Sequence, residues 1–106
     1  MDALQELKEA HENKFKHEQD ILFKAKIRRN RLVGLWAGEL MEFSRSDIEK
    51  YAEELVQLHI NDTGRDRLQV KIVDDFNRNG VHKSEHRIER QIQEFMQQAI
   101  ELVKNE

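Results

Sequence analysis

Hydrophobic positions fall into four periodic stretches and one thin one. In residues 20–43 (DILFKAKIRRNRLVGLWAGELMEF), Leu22, Ala25, Arg29, Leu32, Trp36, Leu40 and Phe43 recur at steps of three or four and mark one side of a helix. Ser46-Asp47-Ile48-Glu49 reads as a capping box, in which hydroxyl and carboxylate satisfy two orphan amides. The helix it opens runs to about Ile60 and buries Ile48, Tyr51, Ala52, Leu55, Val56 and His59. Asn61-Asp62-Thr63-Gly64 is a turn from which Asp62 or Thr63 caps a third helix, with Asp66 in its first turn and Leu68, Ile72, Val73 and Phe76 inward. Asn79-Gly80 ends that helix, Gly80 supplying the left-handed residue and Val81 the apolar contact that accompanies it. Ser84 caps the last helix, whose buried side is Ile88, Ile92, Phe95, Ala99 and either Leu102 or Val103. Two long and two short helices on brief connections predict an all-α fold, an antiparallel four-helix bundle.

Residues 1–19 depart from this pattern. Leu4, Leu7 and Phe15 are their only sizeable apolar residues after Met1, and His11 and Glu18 interrupt the stripe. So thin a stripe does not repay the backbone entropy of ordering, roughly 1–2 kcal/mol per residue. Nothing opposes a helix, and Glu12 with Lys16 and Asp20 with Lys24 are favourable acid-to-base pairs four apart. The expectation is a mobile, partly helical N-terminal arm (1–19) ahead of a bundle domain (20–106). The arm is either a segment that completes its helix in a partner's groove or a solvated tail without a role.

Composition agrees with a single helical domain: 106 residues, 37% charged, 38% hydrophobic, no Pro and four Gly. Without cysteine there is no disulfide framework and no thiolate metal site. No apolar window approaches a membrane span and no export signal is visible, so direct membrane insertion is not expected and Asn61-Asp62-Thr63 carries no meaning as a glycosylation acceptor. The net charge of −3 points to no partner class, but Lys24, Lys26, Arg28, Arg29 and Arg31 form a local basic run.

Each chemical signal has a plainer counterpart. His82-Lys83-Ser84-Glu85-His86 matches H-x-x-E-H, but a cap at Ser84 leaves His82 outside the helix, so no metal is expected. Gly34-Leu35-Trp36-Ala37-Gly38 is G-x-x-x-G, which among so many charges means close approach of another helix beside Trp36. The basic run could meet nucleic acid, but the acidic chain and the lack of interleaved aromatics favour a solvated or protein-docking face. No phosphate loop, nucleophile elbow or catalytic carboxylate pair is present, so no enzyme activity is expected.

Beyond these readings, Phe15-Lys16-His17-Glu18, Phe23-Lys24-Ala25 and Arg28-Arg29-Asn30-Arg31-Leu32-Val33-Gly34-Leu35-Trp36-Ala37 closely resemble the signature of the zeta subunit, the inhibitor of the alphaproteobacterial F-type ATP synthase. Tyr51-Ala52, Asp75-Phe76, Gly80 and Ile88 extend the resemblance over nearly the whole chain, with departures at Ile27, Val33 and Gly38 and with His11 where an aromatic is usual. The resemblance implies a four-helix bundle whose N-terminal arm enters the catalytic head between α and β subunits, near the rotor, and becomes helical there. It implies partner contacts at Leu4, Leu7, His11, Lys14, Phe15 and His17, and a signature or docking face at Lys24, Arg28, Arg29, Asn30 and Trp36. It also implies a monomer when free, in the cytoplasm and peripheral to the inner membrane through the synthase. A required cofactor is not implied; weak adenine nucleotide binding would suit a relative of a nucleotide-driven machine, but no motif supports it. His11 and His17 suggest a weaker inhibitor or a pH-dependent grip. The other reading of the chain is a non-inhibitory adaptor using the basic face, with nucleic acid as its extreme case.

Overall fold

The computed structural model describes residues 2–62 and 64–106. Among them the regular structure is helical: α1 (Ala3–Leu40), α2 (Arg45–Asn61), α3 (Leu68–Arg78) and α4 (Glu85–Lys104). α1 packs chiefly on α2 and α4, and α3 lies against α4 with smaller contacts to α1 and α2. Val33, Ala37, Met41, Tyr51, Leu55, Leu68, Ile72, Phe76 and Ile88 form the main core. A second cluster joins α1 to the end of α4 through Ala25, Ala99 and Val103, flanked by Ile21, Met96 and Ile100.

The first helix begins at Ala3 rather than Asp20. No Pro or Gly interrupts the chain before Gly34, and Asp2 caps the start by accepting a hydrogen bond from the Gln5 amide at 2.7 Å. It ends at Leu40, short of Phe43, because Glu42 turns left-handed at φ 61°. The Phe43 amide then donates to Gly38 O at 3.1 Å and the Glu42 amide to Glu39 O at 3.0 Å, the paired closure of a Schellman motif. Gly80 closes α3 in the same way, its φ 69° letting the Val81 amide reach Phe76 O at 2.9 Å.

Two other starts move. Ser44, not Ser46, caps α2, its hydroxyl accepting from the Asp47 amide at 3.1 Å. The left-handed residue at Glu42 reverses the chain early enough that Ser44 is already extended. α3 begins only at Leu68, with Arg67 as N-cap and no side-chain cap. Asp62 instead follows the end of α2 and pairs with Arg67 at 3.3 Å, while Asp66 is drawn to Arg29 rather than placed in a first turn. The alternative cap at Thr63, which is also the last residue of the acceptor motif, lies outside the described residues. Ser84 does cap α4, accepting from the Arg87 amide at 3.2 Å.

The buried face of α1 is rotated from the expected line. It runs Ala25, Arg29, Asn30, Val33, Gly34, Ala37 and Gly38, whereas Leu22 and Leu40 stay exposed and Trp36 is half-buried. Small residues take the tightest positions, where α2 approaches, and the larger side chains reach inward from the flanks. Trp36 does so against Phe76 and Phe95, ring centroids 5.5 and 6.2 Å away.

Candidate functional site

Every residue from Asp2 to Asp20 is exposed, and the first buried position on α1 is Ala25. The helix therefore runs on past its packing partners. Its 38 residues span roughly 57 Å at 1.5 Å per residue, which accounts for most of the 62 Å long axis of the molecule. Leu4, Leu7 and Phe15 are 76%, 56% and 63% exposed, far more than large apolar side chains of a helix with a packed face.

At about 100° per residue, Leu4, Leu7, His11 and Phe15 fall on one side of the projecting helix. Lys14 flanks that stripe, and His17 lies on the opposite side. Five of the six arm residues expected at a partner thus share or border one face. Little within the segment holds it: Asp20 and Lys24 approach to 3.5 Å, while no ion pair joins Glu12 to Lys16 among the described residues. Both groups of an exposed pair are solvated, so its contribution is small.

The basic run divides: Lys24, Arg28 and Arg31 share an exposed side, while Lys26 and Arg29 turn away from it. Arg29 is 5% exposed and Asn30 1% exposed. The Arg29 guanidinium forks onto Asp66, Nη1 donating to Oδ2 at 2.9 Å and Nη2 to Oδ1 at 3.1 Å, and donates to Asn30 Oδ1 through Nε at 3.1 Å. Asn30 passes the connection on, its Nδ2 donating to Leu55 O on α2 at 2.8 Å. A charge so buried is stable only with such a full set of acceptors. Burial pushes the Asp66 carboxyl up, but the hydrogen bonds and charge of Arg29 outweigh it and hold the group below its ordinary value. Lys24 pairs with Asp20, Arg28 with Glu106 and Arg31 with Glu49. Arg29 and Asn30 are therefore internal joints and Trp36 is half-buried, while Lys24, Arg28 and Arg31 stay exposed.

Other signature residues are joints as well. The Tyr51 hydroxyl donates to Asp75 Oδ2 at 2.6 Å. Lys71 bridges Asp75 at 2.9 Å and Glu54 at 3.0 Å and lies 5.7 Å from the centre of the Tyr51 ring. Burial, reinforced by the Asp75 carboxylate, pushes the Tyr51 phenol well above its ordinary range. Burial acts to lower the Lys71 ammonium, but Asp75 and Glu54 prevail and raise it. His82 precedes α4 and His86 sits in its first turn; among the described residues no three His, Cys, Asp or Glu side chains gather to hold a metal.

His59 is the residue of the site region that sequence spacing assigned only to the core. It is 6% exposed, its Nε2 is buried without a hydrogen-bond partner, and its ring lies 5.6 Å from that of Phe23. Burial first, then the charges of Arg29 and Lys26, lower its pKa from the ordinary value. No spacing rule predicts an orphaned nitrogen, since that depends on what three other helix positions leave open.

A family model described as ATPase inhibitor subunit zeta matches residues 1–101 of the chain, the projecting helix included. No curated protein and no solved structure matches it. No helix among the described residues is long and apolar enough to cross a membrane.

Proposed function

Because the chain belongs to the ATPase inhibitor subunit zeta family, we propose that it restrains an F-type ATP synthase by lodging its N-terminal arm at a catalytic α/β interface near the rotor. The observation that carries this reading is the projection of residues 2–16 beyond the other helices, with an apolar stripe in water. Residues 20–106 act as the bundle that carries the arm, and the arm is the part that frays when free. Packing of α1 from Ile21 onward supplies the costly helix nucleus, so the arm has only to propagate it. Held in a groove, Leu4, Leu7 and Phe15 would each contribute about 1.5–3 kcal/mol on full burial.

Inhibition then follows from differential binding. A helix that fits one rotational state better than the next holds the rotor there by the difference in its affinity for the two. Rotation in the hydrolysis direction closes the interface onto the helix and rotation in the synthesis direction opens it, so hydrolysis stops while synthesis is spared. The partners are the α, β and rotor subunits, the free protein is a monomer, and its place is at the cytoplasmic face of the inner membrane through the synthase.

The test is ATP hydrolysis by the matching synthase with the full-length protein and with a chain lacking residues 2–19. Full-length protein should inhibit and the shortened chain should not, while its circular dichroism melt stays cooperative. Equal inhibition by both would overturn the reading.

A further inference from the structure

A notch of about 230 Å³ opens where the arm meets the packed part of α1, lined by Gln19, Leu22, Phe23, Lys26 and His59. Three of its features converge. His59, whose Nε2 is buried and unpartnered, contributes to its wall. Lys26 makes no ion pair among the described residues, unlike Lys24, Arg28, Arg29 and Arg31. No acid lines the notch itself, Asp66 reaching His59 and Lys26 only through its charge, and the rim carries Leu22 and Phe23, 38% and 42% exposed.

The Lys26 ammonium donates only, the Gln19 amide and the imidazole each carry N–H groups, and among the described residues no side chain accepts from them. One carboxylate has two oxygens, one for the Lys26 ammonium with charge assistance and one for a neighbouring donor of the wall. The apolar rim suits the methylene stem of an acidic side chain better than it suits a fully hydrated inorganic anion. Position adds a second argument. Leu22 follows Leu4 by five turns at about 3.6 residues per turn, so the notch continues the side of α1 that carries Leu4, His11 and Phe15. A surface that receives the arm runs on into the notch.

We infer that the notch is a second docking point, taking an aspartate or glutamate side chain of the surface that receives the arm. This rests on the inhibitor reading for the identity of that surface, but the carboxylate site itself is tested apart from it. In the full chain, the imidazole nitrogen resonances of His59 are followed during titration with sodium acetate, against sodium chloride at equal ionic strength. The exposed His11, His17, His82 and His86 are internal controls. His59 Nε2 should shift saturably with acetate alone, and the response should vanish in Lys26→Gln. A His59 response no larger than that of the controls overturns the site.

Hydrolysis assays then separate the two ideas. Lys26→Glu should raise the concentration needed for half-inhibition by about tenfold or more, as loss of a desolvated charge pair does, with an unchanged melt. If Lys26→Glu inhibits like the parent while the arm-deleted chain does not, the docking point fails and the inhibitor reading stands. If the parent itself does not inhibit, the inhibitor reading fails, the docking role falls with it, and the acetate titration alone decides whether the notch is a carboxylate site.

Discussion

At Gly34 a hydrogen atom is all that fits between α1 and α2. A Cβ there would lie 2.5 Å from Ala52 Cα, which is backbone and has no room to retreat. At Gly38 the nearest atom is Ile48 Cγ1 at 3.1 Å, the arm of a side chain that can yield. Gly34→Ala should therefore destabilise by about 1–3 kcal/mol through overpacking, even after the gain of about 1 kcal/mol in helix propensity. Gly38→Ala should fall within about 1 kcal/mol of the parent. Urea denaturation of the two variants decides it, and equal losses would refute the assignment. The close approach was legible in the sequence as G-x-x-x-G, though not the difference between its two glycines, and so was the burial of His59. The clamp at Arg29 was half legible. Its place on the helix side showed, but its acceptor Asp66 comes from a non-helical stretch 37 positions on, which periodicity does not reach.

The same residues set the acid limb of stability. Asp66 titrates below its ordinary 3.8 in the folded chain, so its contribution is present above that value and lost as pH falls through the lowered one. His59 is also depressed, from 6.5. Its neutral form is favoured by folding, its contribution is full above 6.5, and it fades as pH falls through the lowered folded value. Both slopes run the same way, toward lower stability in acid. Denaturation midpoints measured from pH 7 down to about pH 3 should show two limbs, the upper flattened in His59→Leu and the lower in Asp66→Asn. A parent whose midpoint rises on acidification would contradict both assignments.

At the scale of the element, helix ends were where the sequence reading slipped, and each slip has a local cause. The stop of α3 was legible because Gly80 announces a left-handed residue. The stop of α1 was not, because Glu42 adopts the same conformation at φ 61° without a glycine to mark it. That hidden turn also moved the next cap from Ser46 to Ser44. It leaves a side chain in a region that costs an L-residue roughly 1–2 kcal/mol and an acid at the negative end of a helix. Glu42→Gly should relieve both against glycine's extra unfolded entropy, for a net gain of about 0.5–1 kcal/mol. A thermal midpoint that falls in this variant would show that Glu42 holds a contact worth more than the strain. The start of α1 was missed for a different reason. Thin apolar content argued for an arm that frays, yet nothing in it breaks a helix, and a helix already nucleated by packing propagates through such a segment.

At the scale of the molecule, most of the signature that identifies the family lies apart from the segment proposed to inhibit, residues 15–18 being the exception. Arg29, Asn30, Gly34, Trp36, Tyr51, Asp75 and Phe76 interlock the helices, while no residue from Asp2 to Asp20 is buried. Most of the signature therefore reports the scaffold, and substitutions at the exposed arm residues should cost the fold little. The dimensions make this measurable. The radius of gyration is 17.2 Å, against about 13 Å for a compact chain of this length; an arm folded back over Trp36 would bring the value near the latter. Small-angle scattering of the full chain should give a radius close to 17.2 Å, falling to about 12 Å when residues 2–19 are removed. The unfolding free energy should change by no more than about 0.5 kcal/mol on that deletion, since no buried contact is lost. A full-length radius already near that of the shortened chain, or a large loss of stability on shortening, would mean that the arm is bound to its own scaffold. It would then have to be released before it could reach any other surface.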